Sequence, residues 1–180
     1  MESMNRRSFL RSTLGLAGLV ASGSLLPGYA ALAEGDESPM TGIEKLEKST
    51  SEWLQLLPAG AFGVLFLENT ERPFSSPLND EKRKGLFTCA ACNLPLFESA
   101  AKFDSGTGWP SFWAPIEGHI ATKKDYWLVL PRTEYHCARC GGHQGHLFKD
   151  GPKPTGQRWC NNGLALHFVP AGAKAPELRV

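Results

Sequence analysis

Cys137-Ala138-Arg139-Cys140-Gly141-Gly142-His143-Gln144-Gly145-His146-Leu147-Phe148 joins a metal-type knuckle, a glycine turn, two imidazoles and an apolar strand end in one stretch. Two cysteines separated by two residues can turn both thiolates towards one ion, and Gly141-Gly142 relieves crowding behind the second. Cys89-Ala90-Ala91-Cys92 repeats the spacing upstream and supplies two more sulfurs. Four thiolates satisfy a tetrahedral Zn²⁺ with no position left for water, so such a site is structural and pins together two hairpins far apart in sequence. The alternative is two local disulfides or two redox-active pairs, although a disulfide between residues three apart is strained in most backbones. The reading adopted is one structural Zn²⁺ on Cys89, Cys92, Cys137 and Cys140.

Working outward, short apolar runs alternate with Gly, Pro and Asn: Gly85–Thr88, Trp127–Leu130, His146–Phe148 and Leu164–Val169. They read as strands joined by turns. Ile43, Leu46, Trp53, Leu54 and Leu57 allow one or two short amphipathic helices, ending near Pro58-Ala59-Gly60. The expectation is a mainly β, antiparallel domain over residues 43–180, with short N-terminal helices and a polar, turn-rich lead-in over 34–42.

The first thirty-three residues read as an address. Asn5-Arg6-Arg7-Ser8-Phe9-Leu10-Arg11 is a twin-arginine stretch, an apolar run follows from Leu14 to Leu26, and Ala31-Leu32-Ala33 offers small residues for cleavage. The run falls short of the roughly 20 apolar residues that span a bilayer, so no permanent membrane anchor is expected. Residues 1–33 resemble a signal for the Tat route, which exports folded proteins and suits a metal site loaded before periplasmic delivery. A formal net charge of +1 in 180 residues, without a basic cluster beyond the N-terminus, points away from a nucleic-acid partner.

Five cysteines cannot all pair within one chain. Cys160 stands outside the knuckles, in Arg158-Trp159-Cys160-Asn161-Asn162-Gly163. It reads either as a buried structural cysteine or as a nucleophile whose thiolate Arg158 and nearby amides would stabilise. His143 and His146 lack a third partner for a second metal but suit acid–base work beside a thiolate. In Phe103-Asp104-Ser105-Gly106-Thr107-Gly108-Trp109-Pro110-Ser111-Phe112, a Gly-Pro loop holds Trp109 where its ring can wall a small-ligand pocket. His119, His136 and His167 fall outside these groups and read as structural or surface residues.

In order along the chain, Glu71-Arg72-Pro73-Phe74-Ser75, both knuckles, Phe103–Phe112, Arg132-Thr133-Glu134, His143-x-x-His146-x-Phe148, Asp150-Gly151-Pro152 and Arg158-Trp159-Cys160-x-Asn162 resemble the B-type methionine sulfoxide reductases over residues 45–170. The resemblance implies two antiparallel β-sheets, with zinc on one side and the active site on the other. It also implies reduction of the R epimer of methionine sulfoxide in oxidised proteins. Carried over, Cys160 attacks, His146 protonates the sulfoxide oxygen, and His143 and Asn162 position substrate and water. Trp109 meets the substrate methyl group, with Phe112, Arg158 and Asp150 completing the substrate-binding set.

Three positions depart from the family pattern. Thr107 stands where many members carry a recycling cysteine, so the oxidised Cys160 is expected to need an outside thiol, thioredoxin-like or small. Leu128 stands where many members carry a histidine and Trp159 replaces a commoner tyrosine, changes expected to alter the pocket rim and the substrate preference. A monomer is expected. The rival readings are a zinc-supported binding module, which has no need of Cys160, His143, His146 and Asn162 together, and a disulfide oxidoreductase using the knuckles as redox pairs.

Overall fold

The computed structural model describes residues 42–125 and 132–180. The twin-arginine stretch, the lead-in through Thr41 and the apolar run Trp127–Leu130 lie outside the described residues.

Helix α1 (Thr50–Leu56) starts at a capping box. Ser49 Oγ accepts from the Glu52 amide at 3.3 Å, and the Glu52 carboxylate accepts from the Ser49 amide at 2.7 Å. Trp53 is its buried residue and stacks on Phe66 at 5.0 Å. Pro58-Ala59-Gly60, expected to close the helical region, instead opens a second helix, α2 (Ala59–Leu67). Proline suits a helix start because it has no amide hydrogen to leave unpaired. The sequence Ala-Gly-Ala-Phe-Gly-Val-Leu-Phe-Leu is apolar all round and buries Ala61–Leu65, so it shows no 3.6-residue period to read.

The strands are β1 (Gly85–Cys89), β2 (Pro95–Glu98), β3 (Lys102–Phe103), β4 (Ser111–Phe112), β5 (Ile120–Asp125), β6 (Arg132–Cys137), β7 (His143–Phe148), β8 (Arg158–Asn161) and β9 (Leu166–Pro170). They form a three-stranded sheet in the order β2-β1-β9 and a six-stranded sheet in the order β3-β4-β8-β7-β6-β5. Every pairing is antiparallel, as the mainly β reading requires.

The core is aromatic. Phe112 stacks on Phe97 at 4.1 Å and meets Phe87 edge-on at 4.9 Å, while Tyr135 meets Trp159 edge-on at 5.0 Å. Phe112 is fully buried, on the face of the sheet opposite the one that carries Cys160. The cause is strand geometry: neighbours in a strand face opposite sides. Ser111 pairs with Cys160 on one face of the six-stranded sheet, so Phe112 and its partner Trp159 turn to the other.

That register decides what the sheet displays. Ser111, Cys160, His146, Glu134 and Lys123 lie opposite one another across β4, β8, β7, β6 and β5, making one row on one face. Two residues along, Arg132 and Asp125 pair on the same face, with Arg158 opposite Phe148. The core face carries Tyr135, Gly145 and Asn161 in the next row. One face is polar and ionisable; the other is packed.

Candidate active site and metal centre

The four knuckle sulfurs lie within 4.8 Å of one another. Cys89 and Cys92 flank the β1–β2 turn, and Cys137 and Cys140 the β6–β7 turn. The short contacts run between knuckles, Cys89 to Cys140 at 3.7 Å and Cys92 to Cys137 at 3.5 Å, and all four thiols are free. Local disulfides are therefore absent from this arrangement. A tetrahedral ion with metal–sulfur bonds of about 2.3 Å needs sulfurs separated by about 3.8 Å, so the cluster fits a metal ion. Hydrogen bonds among the thiols, followed by burial, push Cys89 and Cys140 well up, while bonds from the other three hold Cys92 low.

Cys160 sits in a different setting. It faces Ser111 on β4 and His146 on β7, each directly across the ladder, where Cβ atoms stand about 4.5–5.5 Å apart. Burial raises its pKa against the pull of Arg158 and hydrogen bonds from Thr107 and Ser111, so the resting group is a thiol. The hydroxyls form their own set, with Ser105 Oγ 2.8 Å from both Thr107 Oγ1 and Ser111 Oγ. Arg158 is fixed from two sides. It donates two bonds of 2.9 Å to the Asp150 carboxylate, and its guanidinium lies 4.2 Å from the centre of the Phe148 ring. Asp150 thus reaches the site through Arg158.

His143 and His146 are three residues apart, which in a regular strand would put them on opposite faces. A bulge prevents that. Tyr135 pairs with Gly145 but His136 pairs with His143, so Gln144 is an extra residue on β7 and both imidazoles share the polar face, their ring centres 5.6 Å apart. Gly145 is required beside the bulge, because a Cβ there would run into the Cys160 carbonyl oxygen. Glu134 holds His143 through its Nδ1 at 2.7 Å, and Lys123 lies 3.1 Å from the other oxygen of that carboxylate. His146 Nε2 lies 2.9 Å from Asp125 Oδ2, and Arg132 Nη2 lies 2.7 Å from the same oxygen. Burial lowers the His146 pKa, while the bond to Asp125 works against that shift.

Trp109 stands on the Gly106–Pro110 loop, half-buried, its Nε1 donating to the Glu71 carbonyl at 3.2 Å. Asn162, expected to position substrate and water, is 4% exposed with both ends of its amide committed to the backbone. Its Oδ1 accepts from the Glu71 amide and its Nδ2 donates to the Gln144 carbonyl, each at 3.1 Å. It fastens the end of β8. Phe112, as noted, lies in the core.

Sequence reasoning passed over Asp125, Gln144 and the carboxylate of Glu71. Glu71 accepts from the Gly163 and Leu164 amides at 2.5 and 3.0 Å, locking the segment after β8. Gln144 is completely buried; its Nε2 donates to Cys89 Sγ at 3.5 Å and its Oε1 accepts from Asn161 Nδ2 at 3.3 Å. One side chain therefore links the cysteine cluster to the strand carrying Cys160. A glutamine set between His143 and His146 was the available signal; for Asp125 there was none.

Comparison with known proteins agrees with this geometry. Residues 57–170 match the SelR domain. The chain is 47% identical over 129 residues to the peptide methionine sulfoxide reductase MsrB of Pseudomonas savastanoi pv. phaseolicola, covering 71% of this chain and 98% of that protein. It is 49% identical over 129 residues to the MsrB of Pseudomonas fluorescens, again covering 71% and 98%. With the four-cysteine centre and a lone thiol facing a histidine across one ladder, the chain belongs to the MsrB family of peptide methionine sulfoxide reductases.

Proposed function

We propose that this chain reduces the R epimer of methionine sulfoxide in oxidised proteins and peptides, with Cys160 as nucleophile and His146 as the acid. The observation that carries the proposal is the pairing of Cys160 with His146 across β8 and β7, with Asp125 against Nε2 of the imidazole. Nδ1 is then the nitrogen left for the reacting groups. The Cys160 proton passes to His146, whose imidazolium Asp125 supports, and the freed thiolate attacks the sulfoxide sulfur. The sulfoxide oxygen takes the proton and ends on Cys160 as a sulfenic acid, and methionine leaves. The thiol is consumed, the sulfoxide is reduced by two electrons and the cysteine is oxidised by two.

Arg158, Thr107 and Ser111 lower the cost of forming the thiolate. His143, Glu134 and Asn162 act as supports that hold the ladder and the His146 ring, and Trp109 meets the substrate methyl group. Zinc is the proposed ion of the four-cysteine centre, where it would fasten the β1–β2 turn to the β6–β7 turn. With four cysteines so placed and Thr107 in the glycine loop, the sulfenic acid is reduced from outside. A thioredoxin-like or small thiol forms a mixed disulfide with loss of water, and a second thiol releases Cys160. We also propose that the chain works as a monomer and that residues 1–33 direct it through the twin-arginine route to the periplasm.

Cys160→Ser tests the assignment. Turnover should fall by more than about a thousandfold, the scale on which loss of a nucleophile acts, while metal content and melting temperature hold. Retained turnover in that variant refutes Cys160 as the nucleophile.

A further inference from the structure

The segment Arg72-Pro73-Phe74-Ser75 is a tight turn with an unusual occupant. The Ser75 amide donates to the Arg72 carbonyl at 3.3 Å, Pro73 holds the second position and Phe74 has φ of 61°. Proline followed by a positive φ is the pattern of a type II turn, whose third position normally goes to glycine or asparagine. A bulky aromatic residue there is strained. Among the described residues, the other non-glycine positions with positive φ have ordinary reasons: Glu68 closes α2, and Asn93 turns the first knuckle.

Phe74 gains nothing from the core in return, for it is 73% exposed. It is nevertheless held firmly. Its amide donates to the Gly108 carbonyl at 2.7 Å, Asn79 Nδ2 donates to the same oxygen at 3.0 Å, and the ring lies over Gly108. Gly108 has φ of 91°, and a Cβ on it would stand 2.9 Å from Phe74 Cδ2. The next residue is Trp109, whose indole donates to Glu71, three residues before Phe74. Two aromatic side chains thus sit on one doubly fastened pair of segments, and the loop that carries Trp109 runs directly into Ser111, the residue opposite Cys160.

We infer that Phe74 is a specificity-determining substrate contact, packing against an apolar side chain that flanks the oxidised methionine in a polypeptide. The inference rests on the proposed reductase activity. A polypeptide substrate extends beyond the sulfoxide on both sides, and an exposed ring continuous with the Trp109 loop is where an apolar neighbour finds cover. The strained backbone aims the ring outwards, where glycine in the same turn would offer nothing to bind.

The test uses two peptides carrying one methionine sulfoxide, flanked by leucines in one and by glycines in the other. The wild-type chain should prefer the leucine peptide by about fivefold to tenfold in kcat/KM, chiefly through KM. Phe74→Gly and Phe74→Asn both suit the turn, so melting temperature should hold or rise while the preference falls to near one. A preference that survives both substitutions, or a wild-type chain without one, overturns the inference and leaves the reductase assignment standing. A wild-type chain inactive on both peptides overturns the assignment, and this inference with it.

Discussion

Five cysteines fall into two environments within one small domain, and the contrast shows that neighbours, not the side chain, decide what a thiol does. Cys89, Cys92, Cys137 and Cys140 have mainly one another for company, and their crowding calls for a cation. Cys160 has a guanidinium, two hydroxyls and an imidazole around it, each suited to easing or accepting a proton. The first group sits at two tight turns and ties hairpins together. The second thiol sits mid-ladder, on the polar face of a sheet whose reverse face is core. Gln144 touches both, bonding Cys89 on one side and Asn161, the neighbour of Cys160, on the other.

Breaking the first environment should have the largest effect. Cys137→Ala leaves three sulfurs and unfastens the β6–β7 turn from the β1–β2 turn. Structural metal binding contributes on the order of 10 kcal/mol, comparable to the whole stability of a domain. Metal content should vanish and the melting transition should collapse, read by calorimetry and metal analysis together. A chelator should reproduce both losses on the unaltered chain.

The next test separates the two faces of the six-stranded sheet. Phe112→Ala should destabilise by about 3–5 kcal/mol, because the stack on Phe97 and the edge contact with Phe87 disappear into a cavity. Chemical denaturation reads this loss. At a temperature where the variant stays folded, its KM should stay near the original, since the ring faces away from Cys160.

A smaller and sharper effect belongs to Asp125→Asn. Asp125 supports the protonated His146, and burial opposes that form. Without the carboxylate the imidazolium gives up its proton at lower pH, so the alkaline limb of the pH–rate profile should move towards acid. The rate at neutral pH should fall by about tenfold to a hundredfold, the range for removing an orienting partner. A merely structural aspartate would lower activity without moving the limb.

The same contrast explains what could be read in advance. Knuckle cysteines are legible because two-residue spacing is local and its chemistry is specific. The apolar strands at Gly85–Cys89 and Leu166–Pro170 show in hydropathy, and the capping box and Trp53 mark the first helix. Strands β6 and β8 carry Arg132, Glu134 and His136, or Arg158 and Cys160, on their outward side, and this chemistry blurs the apolar pattern that marks a strand. The bulge at Gln144 is invisible without its partner strand, although it alone explains why two histidines three apart face the same way. Phe112 stands beside Ser111 in a loop-like motif, and only the register reveals which of the two shares a face with Cys160.

Cys160 and His146 are proposed to act together in reducing one epimer of methionine sulfoxide. The purified chain, supplied with dithiothreitol and a racemic methionine sulfoxide peptide, can be followed by chromatography that separates the epimers. Loss of the R epimer alone, with methionine appearing in equal amount, is the predicted result. Persistence of both epimers before the metal-loaded protein would contradict the catalytic reading and leave a zinc-supported binding module in its place.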